Sequence, residues 1–121
     1  MTDASDLMDL RDRMRRFTDE RDWSRYHDPK SLLLALVGEV GELSELFQWL
    51  PADSARNLAQ DQPLRARVEE EIADVLLYLV RLADVLEIDL GEAAVRKFAA
   101  SSQKHRPGSG PDDYRIPKTE G

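Results

Sequence analysis

The sequence predicts an all-α fold, a four-helix, bundle-like domain that assembles as a homo-oligomer. Four segments of the 121-residue chain carry apolar residues at three- and four-residue steps, as one face of an α-helix requires. The segments between them lack the two-residue alternation of a β-strand, and no internal repeat is found. One of the four helices is apolar nearly all round at one end, which in so small a chain indicates a partner subunit.

The first predicted helix covers residues 5–23, and Asp3 or Ser5 is expected to cap its start. Its apolar face consists of Leu7, Leu10, Met14 and Phe17. We assign Phe17, together with Phe47 of the next helix, to the core.

The second predicted helix runs from about Lys30 to Leu50 and is bounded by two prolines. Pro29 is expected in its first turn, where proline is well tolerated, and Pro51 ends it. The main apolar stripe is Leu36, Val40, Leu43 and Phe47. The side chains that widen this surface around the helix are Leu32, Leu33, Leu34 and Val37.

Residues 51–64 are polar and contain two prolines, which predicts a loop with room for one short helical turn. A third helix is predicted from about 64 to 86, and Asp89 is expected to cap a fourth from about 90 to 104. The core face of the third helix is Ile72, Val75, Leu76, Leu79, Val80, Ala83 and Leu86.

We divide the chain into a helical domain, residues 1–106, and a flexible C-terminal tail, residues 107–121, which is rich in glycine and proline. The first residues lack the apolar segment of a signal peptide, and no apolar run is long enough to cross a membrane. A cytoplasmic location without membrane association is therefore expected.

The composition excludes several kinds of partner and metal. With no cysteine and only two histidines, the chain cannot build a thiolate site or a three-histidine zinc site by itself. A formal charge of −7 disfavours binding to a nucleic-acid polymer. A small phosphate ligand is still compatible with this charge if a divalent cation bridges it to the acids.

Two acidic motifs carry the candidate chemistry. Glu39 and Glu42 on the second helix, and Glu71 and Asp74 on the third, are each three residues apart and border an apolar stripe. If the two helices pack antiparallel, the four carboxylates face one groove and need a cation, for which Mg²⁺ or Mn²⁺ is suited. The alternative is a solvated acidic face. A di-iron site would require Glu-x-x-His motifs, which neither acidic segment contains.

Two longer segments around these motifs resemble a known family. The stretches LLLALVGEVGELSELFQW (residues 32–49) and EEIADVLLYLV (residues 70–80) are similar to the MazG-like all-α NTP pyrophosphohydrolases. The dCTP pyrophosphatase branch is the nearest. The similarity extends upstream through ERDW (residues 20–23) and HDP (residues 27–29), and it covers roughly residues 7–106.

The resemblance implies a reaction and an assembly. It implies that Glu39, Glu42, Glu71 and Asp74 bind Mg²⁺, with Mn²⁺ as the alternative, and that Glu45 is a further ligand or a base that orients water. The reaction would cleave a dNTP, with dCTP or a modified dCTP favoured, to the monophosphate and pyrophosphate for nucleotide-pool sanitation. The resemblance also implies a homodimer or homotetramer, of which we favour the tetramer.

The resemblance further suggests residues that contact the nucleotide. Trp23, Trp49 and Tyr78 are candidate walls of a slot for the base, and His27 is a candidate to bond the base or a phosphate. The candidate phosphate contacts are Arg81, Lys97 and Lys104. The alternatives are a core role for Trp23, no role for His27, and ordinary surface positions for the three cations.

The chain also departs from its relatives in two places. Ser101 and Ser102 stand where relatives often carry asparagine after the fourth-helix lysine, and Met14 occupies a site that is polar in some relatives. Base and sugar preference therefore stay open, and a dUTP or broader-specificity NTP pyrophosphatase is an alternative. A non-catalytic helical oligomerisation module is the alternative from a different class.

Overall fold

The computed structural model describes residues 4–108, and these residues form an all-helical chain without a strand. The elements are α1 (Ala4–Glu20), a 3₁₀ turn (Ser24–Tyr26), α2 (Pro29–Phe47), α3 (Ala55–Ala59), α4 (Leu64–Val85) and α5 (Leu90–Lys104). The all-α part of the predicted fold class is thus confirmed. The short α3 lies within the segment predicted as a loop with one helical turn.

The first helix ends earlier than predicted. It stops at Glu20, because Asp22 adopts a left-handed conformation with a φ of 54°. The backbone N–H of Trp23 then donates to the carbonyl of Thr18 at 2.9 Å, which closes the helix terminus. Trp23 therefore lies in the connection after α1. Asp3 and the Ser5 side chain, the two predicted caps, lie outside the described residues.

The starts of α2 and α5 agree with the sequence. Pro29 opens α2, and the Asp28 carboxylate caps it by accepting from the Ser31 N–H at 3.0 Å. The Asp89 carboxylate caps α5 in the same way, at 3.1 Å from the Glu92 nitrogen. The end of α2 at Phe47 is three residues earlier than the predicted Leu50.

The helix α4 is the centre of the packing. It contacts α1, α2 and α3, while α5 packs on α1. The pair α2–α4 is antiparallel, because His27, just before α2, bonds to Arg81 near the end of α4, whereas Glu39 lies beside Glu71 near its beginning. This arrangement brings the two acidic motifs together.

The core of one protomer is thin. Among the described residues the buried hydrophobic side chains are Leu32, Val68, Val80 and Ala83. Part of the predicted stripes is exposed instead, and the side chains concerned are Phe17, Val40, Ile72, Leu79 and Leu86. The core assignment of Phe17 is wrong: its ring is 46% exposed and is covered by the Arg21 guanidinium, 3.6 Å from the ring centroid.

The predicted tail falls largely on residues 109–121, which lie outside the described part of the chain. Within the described part, no helix has the length and apolar character needed to traverse a bilayer.

Candidate functional site

Three carboxylates converge between α2 and α4. Glu39, Glu42 and Glu71 each offer an oxygen atom, and these atoms all lie within 4.8 Å of one another. Glu39 and Glu42 are one turn apart on α2, and Glu71 approaches them from α4 because the helices run antiparallel. The geometry thus unites residues from both predicted motifs.

The pKa values show how costly this convergence is. Burial, and after it the nearby carboxyls of Glu71, Glu42 and Asp74, raise the pKa of Glu39 to about 7. The pKa of Glu71 is also raised, first by burial and then by the charges of Glu42 and Asp74. A site that repels its own negative charge binds a cation favourably.

Two oxygen atoms point to the same conclusion by geometry. Oε2 of Glu39 and Oε2 of Glu71 are buried and have no hydrogen-bond partner in the protein. Buried polar atoms are normally satisfied, and a pair of orphaned carboxylate oxygens in one groove is explained by a ligand that the two acids bind. The all-oxygen donor set suits Mg²⁺ or Mn²⁺. The residues present therefore fit a divalent cation.

Asp74 and Glu45 lie outside the triplet. Asp74 is close enough for its charge to raise the pKa of both Glu39 and Glu71, so it borders the cluster from α4. Glu45 is exposed on α2, one turn beyond Glu42. Both remain predicted site residues.

Arg81 is not the ordinary surface cation of the alternative interpretation. It is 6% exposed, and its guanidinium is held on two sides. Its Nε donates to Nδ1 of His27 at 3.0 Å, and its Nη1 donates to the Asp84 carboxylate at 3.2 Å. His27 therefore has a defined partner, which the alternative of a loop histidine without a role does not explain.

Asp84 connects this pair to the first helix. Its carboxylate also accepts two bonds from Arg15 of α1, one of them from Nε at 3.1 Å. The bonds from Arg15 lower the pKa of Asp84 below its ordinary value. Sequence reasoning missed Arg15 and Asp84. Asp84 follows Arg81 at ion-pair spacing on α4, but nothing local indicates Arg15, 69 positions away.

The aromatic candidates lie in three separate segments of the chain. Trp23 is 45% exposed and meets the Phe17 ring edge-on at 5.5 Å between centroids, so it is not a core tryptophan. Trp49 is 85% exposed just after α2. Tyr78, on α4, is half-buried one turn beyond Asp74.

The two lysines predicted to contact phosphates lie on α5. Lys97 is half-buried and lines a shallow groove with Ala93, Arg96 and Ala100, while Lys104 is exposed in the last turn. Within the described chain α5 packs mainly on α1. The contact of Lys97 and Lys104 with phosphates stays a prediction.

Comparison with known proteins identifies the family of the chain. Residues 27–106 match the MazG nucleotide pyrophosphohydrolase domain. The chain is 46% identical over 99 residues to dCTP pyrophosphatase 1 of Mus musculus and 43% identical to that of Homo sapiens. Each match covers 82% of this chain and 58% of the relative, so the chain spans less than two thirds of these curated proteins.

A solved structure gives the same result. A pyrophosphatase from Archaeoglobus fulgidus superposes with a TM-score of 0.74 at 42% identity, covering 82% of this chain and 91% of that one. The fold and the acid cluster together define an all-helical protein with a carboxylate groove whose donor set fits a divalent cation. More particularly, the chain belongs to the MazG nucleotide pyrophosphohydrolase family.

Proposed function

We propose that this protein is a divalent-metal-dependent pyrophosphohydrolase that cleaves a deoxynucleoside triphosphate to the monophosphate and pyrophosphate. The favoured substrate is dCTP or a modified dCTP, which gives the enzyme a role in sanitation of the nucleotide pool. The observation that carries the proposal is the convergence of Glu39, Glu42 and Glu71 with two buried, unpartnered oxygens. The dCTP pyrophosphatases among its relatives support the substrate class.

Glu39, Glu42, Glu71 and Asp74 would hold the cation, with Mg²⁺ preferred and Mn²⁺ as the alternative. When bound, such a cation neutralises phosphate charge and stabilises the leaving pyrophosphate. The protein itself orients the α-phosphate and the attacking water in the groove between α2 and α4.

Hydrolysis then requires one bond to form and one to break. The oxygen of water bonds to the α-phosphorus, and the bond from that phosphorus to the bridging oxygen breaks. The bridging oxygen leaves with pyrophosphate and keeps the electron pair. We propose that Glu45 orients this water and accepts its proton. Its carboxylate lies one turn beyond the cluster on α2 and is not one of the three that converge.

The remaining predicted residues would bind the rest of the substrate. Trp23, Trp49 and Tyr78 supply flat apolar surfaces for the base, and His27 supplies a hydrogen bond at that end. Arg81, Lys97 and Lys104 are the predicted phosphate contacts. The burial of Arg81 favours an indirect role for this residue.

We further propose that the active form is a homo-oligomer, with a tetramer favoured over a dimer. One face of α2 exposes a set of aliphatic side chains, and α5 exposes an aromatic one. These residues, with their exposed fractions, are Leu33 at 49%, Leu34 at 61%, Val37 at 59%, Val40 at 44% and Phe98 at 70%. Exposed apolar side chains of this kind are typical of an interface, and the thin core of one protomer needs the additional burial.

Incubation with a panel of dCTP, 5-methyl-dCTP, dUTP and the other nucleotides in Mg²⁺ tests the reaction. We expect pyrophosphate and a monophosphate, with dCTP or its modified form turned over most efficiently. In ¹⁸O-labelled water the label should enter the monophosphate, because attack occurs at the α-phosphorus. Release of orthophosphate, or no turnover of any nucleotide, would contradict the proposal.

The matched variants are Glu42→Gln in the cluster and Glu69→Gln outside it. Glu69 is exposed on the same α4 helix that carries Glu71, and it pairs with Arg65 at 3.0 Å. Turnover should disappear in the first variant and persist in the second.

A further inference from the structure

A chain of polar contacts crosses three parts of the fold. Arg15 of α1 bonds to Asp84 of α4, Asp84 bonds to Arg81, and Arg81 bonds to His27 in the connection before α2. The side chains of Asp84 and Arg81 are only 9% and 7% exposed. Charged groups at this depth are stable only when they are paired, so this series of polar contacts is a fixed part of the structure.

The contact between Arg81 and His27 determines the state of the histidine. An arginine nitrogen always donates, so Nδ1 of His27 must be the unprotonated acceptor. In the neutral ring the proton then lies on Nε2. Arg81 thus makes His27 a donor with a defined orientation.

The position of this pair along α4 relates it to the acid cluster. Asp74, Tyr78 and Arg81 follow one another at steps of four and three residues, and so lie along one flank of the helix. Seven residues of helix separate Asp74 from Arg81 by about 10 Å. That separation matches the order of length between the phosphates and the base of a nucleotide.

Fixing His27 also fixes the aromatic segment before it. The backbone N–H of His27 donates to the Ser24 carbonyl at 3.0 Å, and the backbone N–H of Tyr26 donates to the Trp23 carbonyl at 2.9 Å. These bonds make Trp23–His27 one short, hydrogen-bonded unit. The Arg81 guanidinium holds this unit at its last residue, His27.

We propose that Arg81 is a positioning residue, which holds His27 as an Nε2–H donor and fixes the Trp23–His27 segment to bind the nucleoside end of the substrate. The proposal rests on the proposed function. It assigns to Arg81 an action through His27 in place of a direct contact with phosphate.

Two substitutions of His27 separate its two nitrogens. In His27→Asn the amide oxygen takes the place of Nδ1, so the bond from Arg81 is kept and the Nε2 donor is lost. In His27→Gln the longer side chain reaches the Nε2 position and the acceptor for Arg81 is lost. Arg81→Lys keeps the charge beside Asp84 but removes the Nε donor, and Arg65→Lys on the exposed side of the same helix is the control.

The readouts are kcat and KM for the best nucleotide, the affinity for Mn²⁺ alone, and the emission of Trp23. Emission is measured in Trp49→Phe protein, since the chain has two tryptophans. Binding of a non-hydrolysable α,β-imido dCTP is measured in parallel by calorimetry.

We expect Arg81→Lys and His27→Gln to raise KM about tenfold or more, as the loss of a hydrogen bond to a charged group implies. Mn²⁺ affinity and kcat should stay within about threefold of wild type, and Trp23 emission should shift to longer wavelength. His27→Asn should raise KM without shifting the emission. Arg65→Lys should leave all five readouts unchanged.

Two results would overturn the proposal. One is an unchanged KM and unchanged Trp23 emission in both Arg81→Lys and His27→Gln. The other is an equal loss of Mn²⁺ affinity, kcat and analogue binding, which indicates general damage to the fold. If wild type binds the analogue in an Arg81-dependent manner but hydrolyses no nucleotide, the proposed function fails and the positioning role stands.

Discussion

Glu39 of α2 and Glu71 of α4 face each other across the helix pair, each with one buried carboxylate oxygen that has no hydrogen-bond partner. The repulsion between the two carboxylates destabilises the metal-free fold, and a bound cation would offset this cost. The most direct predictions concern the removal of this cost.

Glu71→Gln should stabilise the metal-free protein and abolish its response to metal. The amide carries no charge and donates a hydrogen bond to Glu39, so the melting temperature in EDTA rises, while Mg²⁺ no longer raises it. Activity should fall about 100-fold or more, since the charge stabilisation that a metal supplies is worth several kcal/mol. Scanning calorimetry with and without Mg²⁺ checks the two effects on the melting temperature, and a turnover assay checks the activity. A lower melting temperature in EDTA would count against repulsion.

The raised pKa of Glu39, about 7, predicts a pH dependence of metal binding. Below pH 7 the proton on Glu39 competes with the cation, so apparent Mn²⁺ affinity should fall and binding should release a proton. Because the folded pKa exceeds the unfolded one, this group also makes metal-free stability decline as pH rises from about 4.5 to about 7. Calorimetry in two buffers of different ionisation enthalpy measures the proton. Metal affinity independent of pH over this range would refute the assignment.

His27 should act in the opposite direction. Its pKa is lowered by burial and by the charge of Arg81, so the folded state resists protonation. Stability should therefore decline as pH falls below the ordinary value of 6.5, and the loss should level off below the folded pKa. Unfolding in urea from pH 7.5 to 5, in a Glu39→Gln background that removes the titration of Glu39, measures the contribution of His27 as the difference between this protein and the same protein with His27→Asn. His27→Asn should remove it, and an unchanged slope in that variant would contradict the prediction.

Asp84→Asn should be strongly destabilising. The substitution leaves the Arg81 cation buried with neutral partners alone, the new amide and His27, and removes the charge that pairs with Arg15. Loss of one partner of a buried pair costs roughly 3–5 kcal/mol, and the half-exposed Arg15 contributes little of this. Urea unfolding of Asp84→Asn, Arg15→Met and the double variant forms the cycle. If Arg15→Met costs as much as Asp84→Asn, the burial of Arg81 is not the main cause of the destabilisation.

Val37→Asp should dissociate the assembly. Val37 is 59% exposed on the apolar face of α2, where a carboxylate would be buried without a partner in an interface. Light scattering after gel filtration should report a smaller species, and activity should fall with it. Asn57→Asp, with the same change of charge on exposed α3, is the control. A monomeric wild type would refute the assembly itself.

Much of this architecture was predictable because its determinants are local. Asp28 and Pro29 mark the start of α2, and three-residue acid spacing on two helices implies convergence once they pack antiparallel. Phe17 was misassigned because periodicity gives a helix face but not what covers it. At the end of α1 the cover is a guanidinium, not another helix.

The contacts of Arg81 illustrate the opposite limit. The family resemblance makes Arg81 a candidate phosphate contact, yet its burial depends on Asp84 and on an arginine 69 positions from that acid. Such a contact arises from the tertiary arrangement of α1 and α4 and leaves no periodic trace in the sequence.

Because the acid cluster is divided between two antiparallel helices, a bound cation would also affect the lifetime of the protein. A cation that joins α2 to α4 binds only the folded chain, so each tenfold rise in free cation above its dissociation constant adds about 1.4 kcal/mol to the free energy of unfolding. Proteases that attack the unfolded chain would therefore degrade the protein faster when magnesium is scarce. In that case the abundance of the enzyme, and not only its turnover, would follow the supply of the ion.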